Sequence, residues 1–341
     1  MTDGGTLAAY LDDWLERQAT QLQPSTWRSY RGFVSRYLLR DLGSVALAEL
    51  ERPAVEQFYA NLFRRGGRQG QRLSRRTVAY THSILHKALA DAVRDGLLAT
   101  NPCRRAVLPK VDHASDGQVT EIAAWDAGQL RTFVAATTEH RHRDLFVVAA
   151  FTGLRRGELC GLRWCDIDLD RQLLHVQRSL TIIDRRVLLK EPKTYRTRRL
   201  HIDDTAGAAL ARQRAWQEQR RAEAGAAWRN ELDLVFTAAG GRPLVPDSLT
   251  RTFRQAVAGL PLPRIRLHDL RHTHATLMLQ AGVPVQVVSQ RLGHASVHLT
   301  MEIYAHVLPA MDAEAADRFA DHILGPDMTA CGAAPDRGAI S

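Results

Sequence analysis

Cysteine is scarce in this chain. Its 341 residues hold four, Cys103, Cys160, Cys165 and Cys331, and no two form a C-x-x-C pair. That spacing excludes the common cysteine-based metal sites and a disulfide framework, and it suits a reducing compartment. Cys160 and Cys165 flank Leu162 and Trp164, so both read as small core hydrophobes. No apolar run reaches membrane-spanning length. The opening MTDGGTLAAYLDDW is acidic and amphipathic, without the basic start and apolar stretch of a signal peptide. The expectation is therefore a cytoplasmic protein with no metal and no membrane partner. Acidic side chains run short in one region. Residues 1–110 carry 17 Lys and Arg against 10 Asp and Glu, while the remaining residues carry 29 against 27. With a net charge of +9 and a pI near 9.8, this predicts a polyanionic partner held chiefly by the N-terminal third.

That third reads as helices. Leu7, Tyr10, Leu11, Trp14 and Leu15 recur at helical spacing. Pro24-Ser25-Thr26 starts a second helix with Trp27, Tyr30, Phe33 and Tyr37, and Pro53 sits in the first turn of a third with Val55, Phe58, Tyr59 and Leu62. At this spacing the aromatic stripe reads as core rather than as a base-stacking surface. Residues 64–76 then gather six arginines and three glycines. The glycines predict a mobile loop, and Ser74 is placed to cap a fourth helix with Val78, Ile84, Leu85, Leu89 and Val93 that ends near Gly96. Arg64, Arg65, Arg68, Arg72, Arg75, Arg76 and Thr77 are the candidate DNA-backbone contacts, because the helix start would present donors to phosphate. Asn101-Pro102 breaks the helix, and irregular residues follow.

Between His268 and Tyr304 the chain reads HDLRHTHATLMLQAGVPVQVVSQRLGHASVHLTMEIY. His268 and Arg271 are three apart and would share a helical face. His294 follows in Leu-Gly-His, and Tyr304 comes ten positions later. Tyrosine, with an ordinary pKa of about 10, attacks a phosphodiester only when cationic donors surround the phosphate.

This order of residues closely resembles the tyrosine recombinases, the phage integrase family. Two upstream motifs extend the match. Thr152-Gly153-Leu154-Arg155-Arg156-Gly157-Glu158-Leu159 is similar to the family's first arginine motif, and Pro192-Lys193-Thr194 with Arg198-Arg199-Leu200 to its lysine-bearing hairpin. Six active-site positions of the family thus have counterparts: Arg155, Lys193, His268, Arg271, His294 and Tyr304. The resemblance implies a mainly α protein with a small antiparallel sheet, built as two domains. Residues 1–104 would form an all-α SAM-like core-binding domain and 105–120 a linker. Residues 121–325 would form a mixed α/β catalytic domain, and 326–341 a disordered tail. Strand content at 173–183, 186–189 and 198–202 would make one sheet carrying Lys193 on a turn. Helices are expected near 204–224, 247–258, 268–280, 284–292, 297–306 and 310–321.

The implied chemistry is strand cleavage by an enzyme tyrosine. Arg155 and Arg271 would hold the non-bridging oxygens in bidentate fashion, and His294 would donate to the phosphate. His268 is the candidate base for Tyr304. The resemblance assigns protonation of the leaving 5′-oxygen to Lys193, with Lys190 as the alternative. The product would be a 3′-phosphotyrosine that conserves the bond energy, so religation needs no cofactor. His272, His274, His298 and His306 read as ordinary polar side chains. Glu158 reads as structural support for Arg155 or a neighbouring helix, Asp269 as a helix cap, and Gly157 as a slight loosening where the family often has a hydroxyl residue.

The resemblance further implies double-stranded DNA as partner, gripped as a C-shaped clamp. It also implies a homo-tetramer on paired recombination sites that passes through a Holliday junction. Accessory DNA-bending or directionality factors and a bacterial or phage origin on the nucleoid go with it. Residues 308–325 could supply a helix that docks on a neighbouring protomer or on its own domain. Many members carry an N-terminal arm-binding domain. Here the first helix begins by about Thr6, as expected of an Xer-like member acting on simple sites or of a chain shortened at its start. DNA relaxation by a type IB topoisomerase shares this chemistry, and a non-catalytic DNA-binding regulator would have no need of Tyr304.

Overall fold

A computed structural model describes residues 5–110, 123–184, 186–190, 197–304 and 323. Lys193, His306, the helix expected near 310–321, the linker from 111 and the tail from 326 lie outside the described residues. Two units divide the chain, Met1–Val119 and Thr120–Ser341.

The first unit is helical. Helix α1 (Leu7–Ala19) starts where the Thr6 hydroxyl accepts the Ala9 amide, and it buries Leu7, Leu11, Trp14 and Leu15. Helix α2 (Pro24–Phe33) has proline in its first turn, where the missing N–H costs nothing. The chain continues through a π turn, Val34–Leu38, into α3 (Leu39–Leu42), and Val34, Tyr37 and Leu38 are buried at that turn. Helix α4 (Arg52–Arg65) buries Val55, Phe58, Tyr59 and Leu62. Helix α5 (Arg75–Arg94) begins at Ser74, whose hydroxyl accepts the Thr77 amide. Side chains stitch α1 to α5, with Trp14 donating to Asp91 at 2.8 Å and Tyr10 to the Ala88 carbonyl at 2.7 Å. The aromatic stripe is core, and Trp14 stacks on Tyr30 with centroids 6.0 Å apart.

The arginine-rich loop differs from the sequence expectation. It is pinned by main-chain bonds from Gly67 N to Gln71 O at 2.7 Å and from Leu73 N to Phe63 O at 3.0 Å. A Cβ at Gly66 would meet the Leu62 carbonyl at 2.4 Å and Leu73 Cδ1 at 2.7 Å. Glycine here permits close approach rather than motion.

In the second unit an aromatic cluster of Trp125, Phe133, Phe146 and Phe253 anchors the core. Each such side chain contributes about 1.5–3 kcal/mol on full burial. Around it lie α6 (Ala127–Ala136), with an Asp126–Gln129 capping box, and α7 (Arg143–Thr152), which ends at Gly153 in the left-handed region, φ 63°. Short α8 (Arg156–Cys160) follows. After the strands come α9 (Asp204–Ala224), α10 (Pro246–Ala258), α11 (Asp269–Gln280), α12 (Val285–Leu292) and α13 (Val297–Tyr304).

The strands form two ladders and not the single sheet expected. Strands β1 (Ile167–Asp168), β2 (Leu173–Val176) and β5 (Arg198–His201) make one antiparallel sheet, with Leu174 opposite Leu200. Strands β3 (Ser179–Ile183) and β4 (Arg186–Lys190) make a separate hairpin. Residues 173–183 cannot stay one strand because Arg178 turns aside to bond the buried Asp166 carboxylate at 2.8 Å. Two smaller readings also change. Cys165 is exposed, since the turn at 164–166 points Asp166 inward instead. Gly157 is a packing requirement, because a Cβ there would stand 2.4 Å from Ser179 Oγ on β3.

Candidate active site

Two tight turns build the site. Gly153 closes α7 and Gly293 closes α12, each left-handed, with φ of 63° and 66°. Both turns leave carbonyls aimed at arginines. Arg271, in the first turn of α11, donates Nη1 to Gly153 O at 2.7 Å and Nη2 to Leu292 O at 2.6 Å. Arg155, just before α8, donates Nη2 to Gly293 O at 2.8 Å. Main-chain acceptors therefore hold both guanidiniums between the same two turns. Arg271 is buried, and burial, then Arg155, lowers its pKa to about 9. It still carries its charge at neutral pH.

Glu158 supplies the counter-charge. Its carboxylate accepts the Arg155 amide at 2.9 Å, Arg155 Nη1 at 3.0 Å, and Arg198 Nη1 and Nη2 at 3.1 and 2.7 Å. Burial alone would raise this carboxyl, but Arg198 and Arg155 outweigh it and hold the pKa below the usual carboxylate range. Arg198 also donates Nε to Arg291 O at 2.8 Å. Glu158 thus pairs with Arg155, one of the two partners expected, and joins the arginine turn to strand β5 rather than to a helix. The sequence did carry a signal for Arg198: it stands two before the inward Leu200, on the same strand face.

His294 follows Gly293 and bonds Thr300 Oγ1 through Nδ1 at 2.7 Å. Burial, then Arg271 and Arg155, lowers its pKa to about 4, so the ring is neutral at neutral pH. Tyr304, at the end of α13, is 1% exposed within a small cluster of Ala275, Leu279, Val288 and Leu292. Burial raises its pKa and Arg271 opposes the rise. Its hydroxyl bonds His272 Nδ1 at 2.9 Å. Sequence reasoning gave His272 no such place. No local signal marks it, because the two residues are 32 apart in sequence.

His268 occupies the N-cap position of α11 and is exposed, with its ring edge-on to His272 at 5.3 Å between centroids. Its backbone is already helical, with φ −67° and ψ −25°, and its carbonyl accepts the Arg271 amide at 3.1 Å, so it stands one turn ahead of Arg271 as expected. Asp269 does not cap this helix. It accepts the Arg266 amide at 2.7 Å and the Arg266 guanidinium at 2.8 Å, which closes the preceding turn. His274 is buried and bonds the Ala150 carbonyl at 3.0 Å, as an ordinary structural histidine would. Lys193 lies outside the described residues. Lys190, at the end of β4, has a shielded Nζ with no hydrogen-bond partner among the described residues, and burial lowers its pKa.

In the helical unit Arg64, Arg65, Arg68, Arg72, Arg75 and Arg76 are all exposed. The Arg72 guanidinium lies 4.2 Å from the centroid of the Phe63 ring. Ser74 caps the helix as expected, accepting the Thr77 amide at 3.2 Å, and its hydroxyl lies 2.9 Å from that of Thr77. Among the described residues no group of three His, Cys, Asp or Glu is placed to hold a metal ion. No described helix is long and apolar enough to cross a membrane.

Comparison with known proteins gives the same picture of relationship. The model of the "Phage integrase family" matches residues 123–311, and that of the "Phage integrase SAM-like domain" matches 6–107. A "Tyrosine recombinase XerC-like" protein of Caldanaerobacter subterraneus subsp. tengcongensis is 29% identical over 332 residues, covering 93% of this chain and 83% of the relative. The integrase of Mycobacterium phage L5 is 28% identical over 299 residues, covering 87% and 74%. Among solved structures, a Tn1549 transposon integrase in complex with transposon right end DNA matches with a TM-score of 0.73 at 20% identity, covering 92% of this chain and 99% of that one. A lambda integrase tetramer bound to a Holliday junction matches with a TM-score of 0.61 at 19% identity, covering 86% and 79%.

Proposed function

The chain belongs to the phage integrase family of tyrosine recombinases, enzymes that cleave and rejoin DNA by tyrosine transesterification, and from this we propose that Tyr304 is its nucleophile. One observation carries the assignment. Arg155 and Arg271 are pinned by the Gly293, Gly153 and Leu292 carbonyls immediately beside His294, with Tyr304 on the helix that follows. Two preorganised forks with a neutral imidazole next to them suit a phosphate gaining charge on its non-bridging oxygens.

In this reading Tyr304 Oη attacks phosphorus, the bond to the 5′-oxygen breaks, and Lys193 protonates the leaving oxygen. The reverse sequence rejoins a strand. With 1% of its surface exposed, Tyr304 is shielded from water in the free protein. The exposed arginines of residues 64–76 hold the backbone of duplex DNA without reading its sequence. Four protomers act on two sites through a Holliday junction, as the lambda integrase tetramer bound to such a junction supports. The setting is bacterial or phage DNA on the nucleoid, with accessory DNA-bending or directionality factors setting direction.

The test begins with random DNA and lets the protein select its own site. A nicked duplex library with a randomised core is incubated with the protein and quenched in detergent. Loss of the short 5′-hydroxyl fragment traps the covalent adduct, and sequencing of adducts gives the site. Tyr304→Phe is expected to bind the recovered duplex and form no adduct. An adduct on Tyr304→Phe refutes the assignment.

A further inference from the structure

We propose that His272 is the base that takes the phenolic proton of Tyr304. The inference rests on Tyr304 being the nucleophile and adds a residue to its chemistry. The carrying observation is geometric. His272 Nδ1 stands 2.9 Å from the Tyr304 hydroxyl, inside the range a general base needs. His268, one turn earlier, is exposed, its ring lies at 87° to that of His272, and among the described residues no hydrogen bond joins it to the phenol.

The position also favours the neutral ring. His272 faces His268, Asp269 and Arg271 from α11 and the residue leading into it, Arg266 from the preceding turn, Tyr304 from α13, and His294 from the turn after α12. Burial, together with Arg271 and Arg266 and against Asp269, lowers its pKa. A neutral imidazole with its hydrogen on Nε2 has a lone pair on Nδ1 for the phenol. The Oη–H bond breaks toward Nδ1 as the Oη–P bond forms and the P–O5′ bond breaks. The imidazolium beside Arg271 is then offset by the phosphate that has arrived. Lys193 loses one proton to the 5′-oxygen while His272 gains one. Religation returns both, so no outside acid or base is consumed.

Two measurements test this. In the free protein, nitrogen NMR of labelled histidine reads the His272 tautomer, assigned by the signals that vanish in His272→Gln. The expected form at neutral pH is neutral with the proton on Nε2. A proton on Nδ1 overturns the proposal, because that nitrogen would then donate to the phenol and could not accept from it. The second measurement is single-turnover adduct formation on the duplex recovered from the randomised library, followed against pH. The wild-type rate should fall on the acid side of the ordinary histidine value of about 6.5. His272→Ala and His272→Gln should bind the duplex, cleave about 10²–10⁴-fold more slowly, and lose that acid limb. His268→Gln should retain the limb. Wild-type rates in the His272 variants, an acid limb that survives in them, or a limb that disappears with His268→Gln each overturn the assignment. If Tyr304→Phe forms an adduct, the nucleophile itself is wrong. That failure is read on a different variant, so it is distinguishable from failure of the base. If His272→Ala does not fold, the Gln variant and the tautomer measurement decide.

Discussion

Replacing Glu158 by Gln should cost about 3–5 kcal/mol, the range for removing one member of a buried ion pair. The carboxylate is 2% exposed and accepts four hydrogen bonds, two from Arg155 and two from Arg198. The amide keeps the volume, offers one oxygen, and turns N–H donors toward a guanidinium that also only donates. Arg198, with its side chain 8% exposed, then loses its counter-charge without gaining water. For a unit of this size, about 2–4 °C per kcal/mol converts the loss to roughly 6–20 °C. Thermal melting followed by tryptophan fluorescence reads it, since Trp125, Trp164, Trp216 and Trp228 lie in this unit. The pH dependence has a definite sign. Arg198 and Arg155 depress the folded-state pKa of Glu158. The stabilisation is therefore fully present above the unfolded value of about 4.3 and is lost as pH falls through the lower folded value. The gap between wild type and Glu158→Gln should be flat from pH 7 to 5 and close only in stronger acid. In the double variant with Arg198→Met the losses should fall short of their sum by about 0.5–3 kcal/mol. A cost below about 1 kcal/mol, as for an exposed pair, or strictly additive losses, refutes the account.

Three further outcomes follow from the geometry. Gly157→Ala should lose about 1–3 kcal/mol from overpacking against Ser179 Oγ at 2.4 Å, and adding Ser179→Ala should restore most of it in the same melting assay. Thr300→Val removes the 2.7 Å partner of His294. At about 0.5–1.5 kcal/mol per net hydrogen bond, adduct formation should slow by up to about tenfold. Exchanging Arg68, Arg75 and Arg76 for Gln should weaken duplex binding evenly across sequences. It should also flatten the salt dependence, the slope falling by about 0.9 for each phosphate no longer neutralised, in titrations at several salt concentrations.

Local features were legible in the sequence because their causes are local. Thr6 and Ser74 cap the helices that follow them, prolines open α2, α4 and α10, and α9 occupies 204–224 as expected. The order of Arg155, Arg271, His294 and Tyr304 was legible too. What escaped depends on partners far along the chain. Glu158 meets Arg198 across 40 positions, and His272 meets Tyr304 across 32. Strand period turns Arg198 inward but does not name Glu158 as its partner, and a histidine beside a buried arginine looks like any other helical histidine. The single-sheet expectation failed for the same reason, since Asp166, twelve residues away, draws Arg178 out of the strand.

The carbonyls of Gly153, Leu292 and Gly293 grip Arg155 and Arg271, and every residue type brings the same carbonyl. Apart from Glu158, whose carboxylate also holds Arg155, the seat of the two cations is therefore indifferent to most exchanges of neighbouring side chains. It depends chiefly on two bends of main chain that glycine supplies without strain. Variation around this pocket should be tolerated widely, with sharp intolerance at Glu158, Gly153 and Gly293. A Cβ at Gly153 would stand 2.8 Å from the His274 ring, and one at Gly293 2.9 Å from the Arg198 guanidinium. A diversifying lineage could thus redraw the surroundings of its scissile phosphate, and with them its choice of DNA, while the cation seat stays unchanged.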